Sequence, residues 1–404
     1  MVRAVSGFRL TGARVALGPS RAVPAILEIC GGRIHAIVQG EARDDPASRG
    51  LREVDLDGYL ILPGLINAHD HLEFNLFPRL GRGPYPNSVA WARDIYRPLR
   101  SPVREQLAVP KAVRLWWGGL KNLLSGVTTV CHHNPYDPVF DAGFPVGVVR
   151  RYGWAHSLTF GTGLHGAFRA ARADAPFIVH LAEGTDEASG EEIFALDRMG
   201  VLDRRTVLVH GVALTAAGHA LRQRRGAALV WCPTSNLFTL GTTLDARSIP
   251  AWEKIALGSD SALTAQGTLL DEIRFARAEL PPDRVYRMVT ESAADILRLR
   301  DGEGRLRPGA VADLVAVPWS GETPAAAVAR MDTSTVAMVV RSGILQLASP
   351  GVAACWPSSA LENFEWISME GTRRRVRAPV RELLRETERC LGREVRLAGR
   401  RVSA

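Results

Sequence analysis

The run Leu60-Ile61-Leu62-Pro63-Gly64-Leu65-Ile66-Asn67-Ala68-His69-Asp70-His71 constrains this chain more than any other segment, because an apolar stretch of strand length ends in two histidines one residue apart. Side chains alternate across a strand, so residues i and i+2 share a face and His69 and His71 can address one metal ion. Three more apolar runs each deliver a polar residue at their ends: Phe177-Ile178-Val179-His180, Val207-Leu208-Val209-His210 and Ile255-Ala256-Leu257-Gly258-Ser259-Asp260. Imidazole and carboxylate donors gathered from successive strand ends suit zinc or iron(II). A lone His-x-His pair occurs by chance, His210 alone would pass for a core histidine bonded to a carbonyl, and Asp260 alone for a helix cap before Ser261. The ordered set of strand ends turns these into a metal site.

The spacing of the runs predicts the architecture. Residues 1 to about 58 alternate in short strand patterns broken by the Gly31-Gly32 turn, which reads as an antiparallel β unit. Beyond Pro63, apolar strands separated by helical stretches are the signature of repeated βα units around a parallel sheet. The segment Gly304 to Val317 returns to β character. The expected fold is therefore α/β: a TIM-like (β/α)8 barrel over 59–309, flanked by a small composite β domain built from 1–58 and 310–404 with a C-terminal extension. Only about 45 residues separate Cys131 from Phe177, where a full βα unit usually takes roughly 30, so the barrel is expected to be shortened between strands 2 and 5.

Composition excludes several other classes. The net charge of +8 comes from 47 arginines against three lysines, and the arginines are scattered rather than striped, which argues against a nucleic-acid partner. The cluster Arg373-Arg374-Arg375 with Arg377 reads as a solvated face. Five widely spaced cysteines without a Cys-x-x-Cys pair argue against a disulfide framework or a structural zinc knuckle. No apolar run approaches the roughly 18 residues that span a bilayer, and the N-terminus lacks a signal-peptide core. A cytoplasmic enzyme acting on a small molecule, with no membrane partner, is the expectation.

These residues carry a resemblance. Pro63 to His71, His180-Leu181-Ala182-Glu183, His210, Cys232-Pro233-Thr234-Ser235-Asn236-Leu237 and Ser259-Asp260 resemble the strand motifs of the amidohydrolase superfamily, within it the aminohydrolases that include guanine and cytosine deaminases and triazine hydrolases. The stretch Leu306 to Val315 is similar to the point where such chains leave the barrel for the β domain. The resemblance runs from about residue 1 to 320. Some members bridge two metals with a carbamylated lysine, but the lysines here are Lys111, Lys121 and Lys254, and none lies in a strand between Cys131 and His180. One divalent ion is therefore expected, zinc ahead of iron(II), bound by His69, His71, His180 and Asp260, and the resemblance suggests a homodimer.

Such an ion lowers the pKa of bound water from about 15.7 toward roughly 7 and supplies hydroxide at neutral pH. The catalytic residues implied are Asp260 as base, His210 orienting the hydroxide, and Glu183 as the acid that protonates a ring nitrogen and then the leaving group. The His-x-x-Glu spacing is what deaminases of cyclic amidines use in this family. Deamination of a heteroaromatic or cyclic amidine is thus the expected reaction. Amide hydrolysis, displacement of halide or amine from a triazine-like ring, and a silent metal-binding scaffold are the alternatives. Substrate contacts are expected from His133 and Asn134 after the strand ending at Cys131, from His156, from Trp91 in a lid-like segment, and from Asn236.

Overall fold

The structure, a computed structural model, describes residues 7–40, 50–141, 143–161 and 163–404. Parts of the expected N-terminal β unit, residues 1–6 and 41–49, lie outside them. Eight short parallel strands line the central unit: β1 (Leu65–Asp70), β2 (Val127–His132), β3 (Gly147–Val148), β4 (Gly153–Trp154), β5 (Phe177–Leu181), β6 (Thr206–His210), β7 (Ala228–Trp231) and β8 (Ile255–Leu257). They form two parallel sheets, β3-β2-β1 and β4-β5-β6-β7-β8. Closure between β8 and β1 comes from Asp260 N donating to His69 O at 3.1 Å. Ile66, Ala68, Ile178, Val209, Val230 and Ala256 fill the interior, and the other face packs on the helices. This is a TIM-type barrel, and its strands are buried on both faces as parallel strands require.

Between β3 and β4 there are four residues and no helix. One nearly continuous run bonds β2 with its first half, through Gly147 opposite Thr129 and Val148 opposite Val130, and β5 with its second half, through Gly153 opposite Phe177 and Trp154 opposite Ile178. Tyr152 fills the bend, donating its hydroxyl to the carbonyls of His132 (2.6 Å) and Asn134 (2.9 Å). The short chain segment thus becomes one bent strand bridging the barrel wall.

The flanking β structure is built from both ends of the chain. Ile26–Cys30 and Arg33–Val38 form an antiparallel hairpin beside Gly7–Thr11, whereas Arg52–Asp55 runs parallel to Gly7–Thr11, a departure from the all-antiparallel unit expected. Tyr59–Pro63 pairs antiparallel with Leu314–Pro318 in a ten-stranded sheet, so the apolar run that ends in the histidines is split at Gly64 between this sheet and the barrel. Residues past 350, which carry no motif, extend the same sheet with Glu365–Met369, Thr372–Val376 and Arg400–Ser403. The helix Val380–Leu391 then docks against the barrel, where buried Trp117 donates its indole N–H to Thr387 Oγ1 at 2.8 Å.

A helix over Lys111–Leu123, which carries Trp117, packs so tightly below the first strand that a Cβ added to Gly118 would lie 2.3 Å from Leu72 O. Leu72 follows His71, so this contact sets how far the end of β1 can sink into the barrel. Gly118→Ala is expected to destabilise the fold by about 1–3 kcal/mol through overpacking, read as a lower urea midpoint with an unchanged slope.

Candidate active site

The site begins with an irregularity in β1. Asn67 pairs with Val130 but Asp70 pairs with His132, three residues advancing on β1 against two on β2. Such a bulge re-aims every later side chain. Ile66 and Ala68 face the barrel interior before it, and His69 and His71 face the site after it, while Asn67 and Asp70 both turn toward the helix behind. There Asp70 accepts hydrogen bonds from Asn75 Nδ2 (2.8 Å), Asn122 Nδ2 (2.8 Å) and Ser259 Oγ (3.2 Å), with Lys121 Nζ at 3.6 Å. Lys121, one of the three lysines, is itself buried and donates to Asn75 Oδ1 at 2.6 Å.

Three imidazoles converge from β1 and β5. His180 Nε2 lies 3.2 Å from His69 Nε2 and 3.4 Å from His71 Nε2, and Asp260 Oδ1 lies 3.7 Å from both. His180 Nδ1 donates to His156 O at 2.9 Å, which leaves its Nε2 lone pair aimed at the other two. Burial, followed by the neighbouring histidines, holds His180 well below the ordinary imidazole pKa, and burial lowers His69 to about 3 against the pull of Asp260. Burial opposes ionisation of Asp260, but its hydrogen bond with His69 and the fields of His69, His71 and His210 outweigh it and hold the carboxyl well below its usual range. Its oxygens also accept from Ser235 Oγ (2.7 Å), Thr264 Oγ1 (3.1 Å) and Ser261 N (2.7 Å). Three imidazole nitrogens beside a carboxylate make a donor set that could hold a divalent metal. Two ligands about 2.1 Å from one tetrahedral ion stand about 3.4 Å apart, which matches the spacing here.

His210, at the end of β6, directs Nδ1 to Asn236 Oδ1 (2.8 Å) and Nε2 toward Glu183 Oε1 (3.6 Å). Burial raises the Glu183 carboxyl above its ordinary range, with His210 opposing and Asp260 adding to the rise. Ala182, His210 and Asp260 all adopt positive φ, at 53°, 77° and 52°. Non-glycine residues in that region carry strain of order 1–3 kcal/mol, and it clusters where side chains must be held at a fixed aim.

A cavity of about 560 Å3 opens onto this group, exposing His71, His180, Glu183, His210 and Asp260. Of the residues expected against substrate, Trp91, Asn134 and His156 line it. His133 and Asn236 do not. His133 packs beneath, stacked on His180 with ring centroids 4.3 Å apart and bonded to Ala155 O, and its position makes it a fourth member of the histidine cluster. Asn236 is spent on orienting His210, and Thr243 Oγ1 in turn holds its amide at 3.2 Å. Glu73, Tyr96, Phe160, Leu263 and Thr264, which no sequence motif marks, also face the cavity. Only the position of Thr264, four residues past Asp260, offered a signal.

Residues 148–345 match the profile that defines the amidohydrolase family. These residues carry an amidohydrolase domain. A relative named 5'-deoxyadenosine deaminase, from Methanothrix thermoacetophila, is 25% identical over 351 residues, which span 71% of this chain and 82% of that one. Among solved structures, atrazine chlorohydrolase from Arthrobacter aurescens complexed with zinc superposes with a TM-score of 0.70 at 16% identity, over 95% of this chain and 100% of that one. Guanine deaminase from Bradyrhizobium japonicum superposes with a TM-score of 0.65 at 17% identity, over 84% and 99%. These superpositions establish that the chain shares their fold. No helix among its described residues is long and apolar enough to cross a membrane.

The segment after β7 that presents Ser235 and Asn236 is pinned from behind by Glu272, which accepts from Thr234 N at 3.0 Å and from Thr234 Oγ1. Burial raises the Glu272 carboxyl to about 8. Between about 4.5 and 8 the folded protein therefore binds a proton that the unfolded chain releases, so stability falls as pH rises through that window. Glu272→Gln is expected to flatten this part of the pH profile of thermal unfolding, with an unchanged slope counting against the assignment.

Proposed function

We propose that this amidohydrolase deaminates a heteroaromatic or cyclic amidine, using one zinc ion held by His69, His71, His180 and Asp260. The chain is a hydrolase acting on a carbon–nitrogen bond, and its small-molecule substrate meets the cavity above β1, β5, β6 and β8. The observation that carries the finer reading is the placement of Glu183. It stands 3.6 Å from His210 on the wall that also exposes His71, His180 and Asp260, so a proton donor and the metal-binding face address one space. The relative named a 5'-deoxyadenosine deaminase and the structure named a guanine deaminase agree with this choice of leaving group.

When bound, the divalent ion supplies the Lewis acidity that lets water attack at neutral pH. The side chains supply the proton traffic. Asp260, ionised, takes the proton of the attacking water, while His210, fixed by Asn236, orients that water through Nε2. Glu183, whose protonated form burial favours, donates to the ring nitrogen of the C=N bond as oxygen adds to carbon. The amino group then leaves as ammonia after a second proton reaches it, and the ring carbon becomes a carbonyl. His156, which burial lowers to about 4, is a neutral imidazole on the same wall and suits a hydrogen bond to a ring edge.

Glu183→Gln is expected to lower kcat by about two to four orders of magnitude with metal content unchanged, whereas His180→Ala should lose both metal and turnover; metal analysis beside an ammonia-release assay separates the two. Since Glu183 must carry its proton, kcat/KM should persist above the ordinary glutamate range and fall as pH rises through the raised pKa. A rate that instead climbs with pH across that range would show that Glu183 acts as a base. Release of no ammonia from a panel of purines, pyrimidines, pterins and triazines would sink the deaminase reading.

A further inference from the structure

The apolar side of the cavity points to what the substrate carries beyond its heterocycle. A helix over Ser88–Ile95 lies across the mouth, and it and the segment before it are strapped to the chain that follows β5, β7 and β8: Ser88 N donates to Glu183 O (3.0 Å), Tyr85 N to Thr239 O (2.7 Å) and Leu80 N to Leu263 O (2.9 Å). Trp91 on that helix donates its indole N–H to Leu80 O at 2.9 Å. Its single polar atom is thereby occupied, and a fixed apolar ring is left against the cavity. Despite this anchoring the helix buries none of its residues, and Tyr96 at its end remains 72% exposed. Trp91, Ile95 and Tyr96 from this strap meet Phe74, Phe160 and Leu263 from three other loops around the same space. Phe74 and Phe160 abut the imidazoles of His71 and His156, at centroid distances of 6.2 and 5.3 Å, so the apolar wall is continuous with the reacting group. A cavity of about 560 Å3 falls in the range that encloses drug-sized ligands rather than a bare ring.

We propose that the substrate bears a flat apolar substituent, aromatic or branched aliphatic, which the Ser88–Ile95 strap and the facing Phe74, Phe160 and Leu263 clamp. This rests on the deaminase reading for the reacting end of the molecule. Desolvating such a group against several aromatic side chains contributes at the usual rate of about 25 cal/mol per Å2, which a hydroxylated sugar in the same place would not supply. Arg93, on the strap and lining the cavity, makes no ion pair among the described residues. Its stem can lie along an apolar group with the guanidinium in water, and it sets up the competing case of an anionic substituent.

The test is a matched series on the zinc-loaded enzyme. Adenine, an aminopyrimidine and an aminotriazine are each compared unsubstituted and carrying a benzyl, a ribosyl or a carboxymethyl group, with ammonia release as the assay. The benzyl compound of the reactive series is expected to lead by about tenfold or more in kcat/KM, mainly through KM, and Trp91→Ala and Phe160→Ala should each erase that lead, read within each variant as the ratio of kcat/KM for the benzyl compound to that for the unsubstituted ring. Calorimetric binding of the benzyl-bearing deaminated products, with a negative heat-capacity change, is measured beside it. Turnover led by the ribosyl or carboxymethyl compound would overturn the proposal and leave the deaminase reading standing. No ammonia from any compound, but benzyl-dependent binding lost in Trp91→Ala, would overturn the deaminase reading and leave the apolar clamp standing. No preference in either measurement would overturn the clamp.

Discussion

The site depends on a carboxylate that never meets substrate. Asp70 is buried behind the first strand, where three asparagine amides, a serine hydroxyl and the ammonium of Lys121 converge on it. An unpaired charge at that depth would be intolerable, and removing one partner of a buried pair typically costs about 3–5 kcal/mol. The network therefore fixes which face of β1 turns outward, and the bulge at residues 67–70 follows from it. Once Asp70 is committed to the helix behind, His69 and His71 have only the barrel interior left.

The same economy runs through the other strand ends. His69 O accepts from Asp260 N, and Asp70 O accepts from His133 N at 3.0 Å, so the backbone of β1 ties the eighth and second strands to the histidine pair. Gly258 is the condition for that closeness, since a Cβ there would stand 2.6 Å from the Cβ of His69. Positive φ at Ala182, His210 and Asp260 gives the ends of β5, β6 and β8 a common sharp exit. Backbone strain, a missing side chain and a buried ion pair thus serve one end, the convergence of side chains from β1, β5, β6 and β8 on one point.

The barrel and most of this constellation were legible in the sequence because each strand is a short apolar run with its chemistry at the end. His69, His71, His180, Glu183, His210 and Asp260 announce themselves by that position, and the structure brings all six together. The shortened stretch before β5 was legible as a shortage of residues. His133 and Asn236 were misread because each is a polar residue beside the site whose hydrogen bonds, to Ala155 and to His210, are settled by tertiary neighbours. Asp70 sat in plain view between two histidines, yet its role depends on Asn122 and Lys121 on a helix some fifty residues later. The apolar wall escaped for a different reason: Tyr96, Phe160 and Leu263 come from irregular segments with no periodicity to mark which face they show.

The bent strand between β2 and β5 has a consequence for how this enzyme can diversify. In a full barrel every strand contributes a loop to the rim, and each loop can vary without disturbing its neighbours. Here Gly147 to Trp154 does the work of two strands, with no crossover between its halves. The rim has lost a station, and the long excursion after β1 has spread across the opening to touch the ends of β5, β7 and β8 instead. That excursion both lines the cavity, through Phe74 and Trp91, and holds the backbone of Glu183 through Ser88 N, so a change that retunes the first will tend to disturb the second. Selection for a new ligand along this wall would have to pass through residues that also hold Glu183 in place.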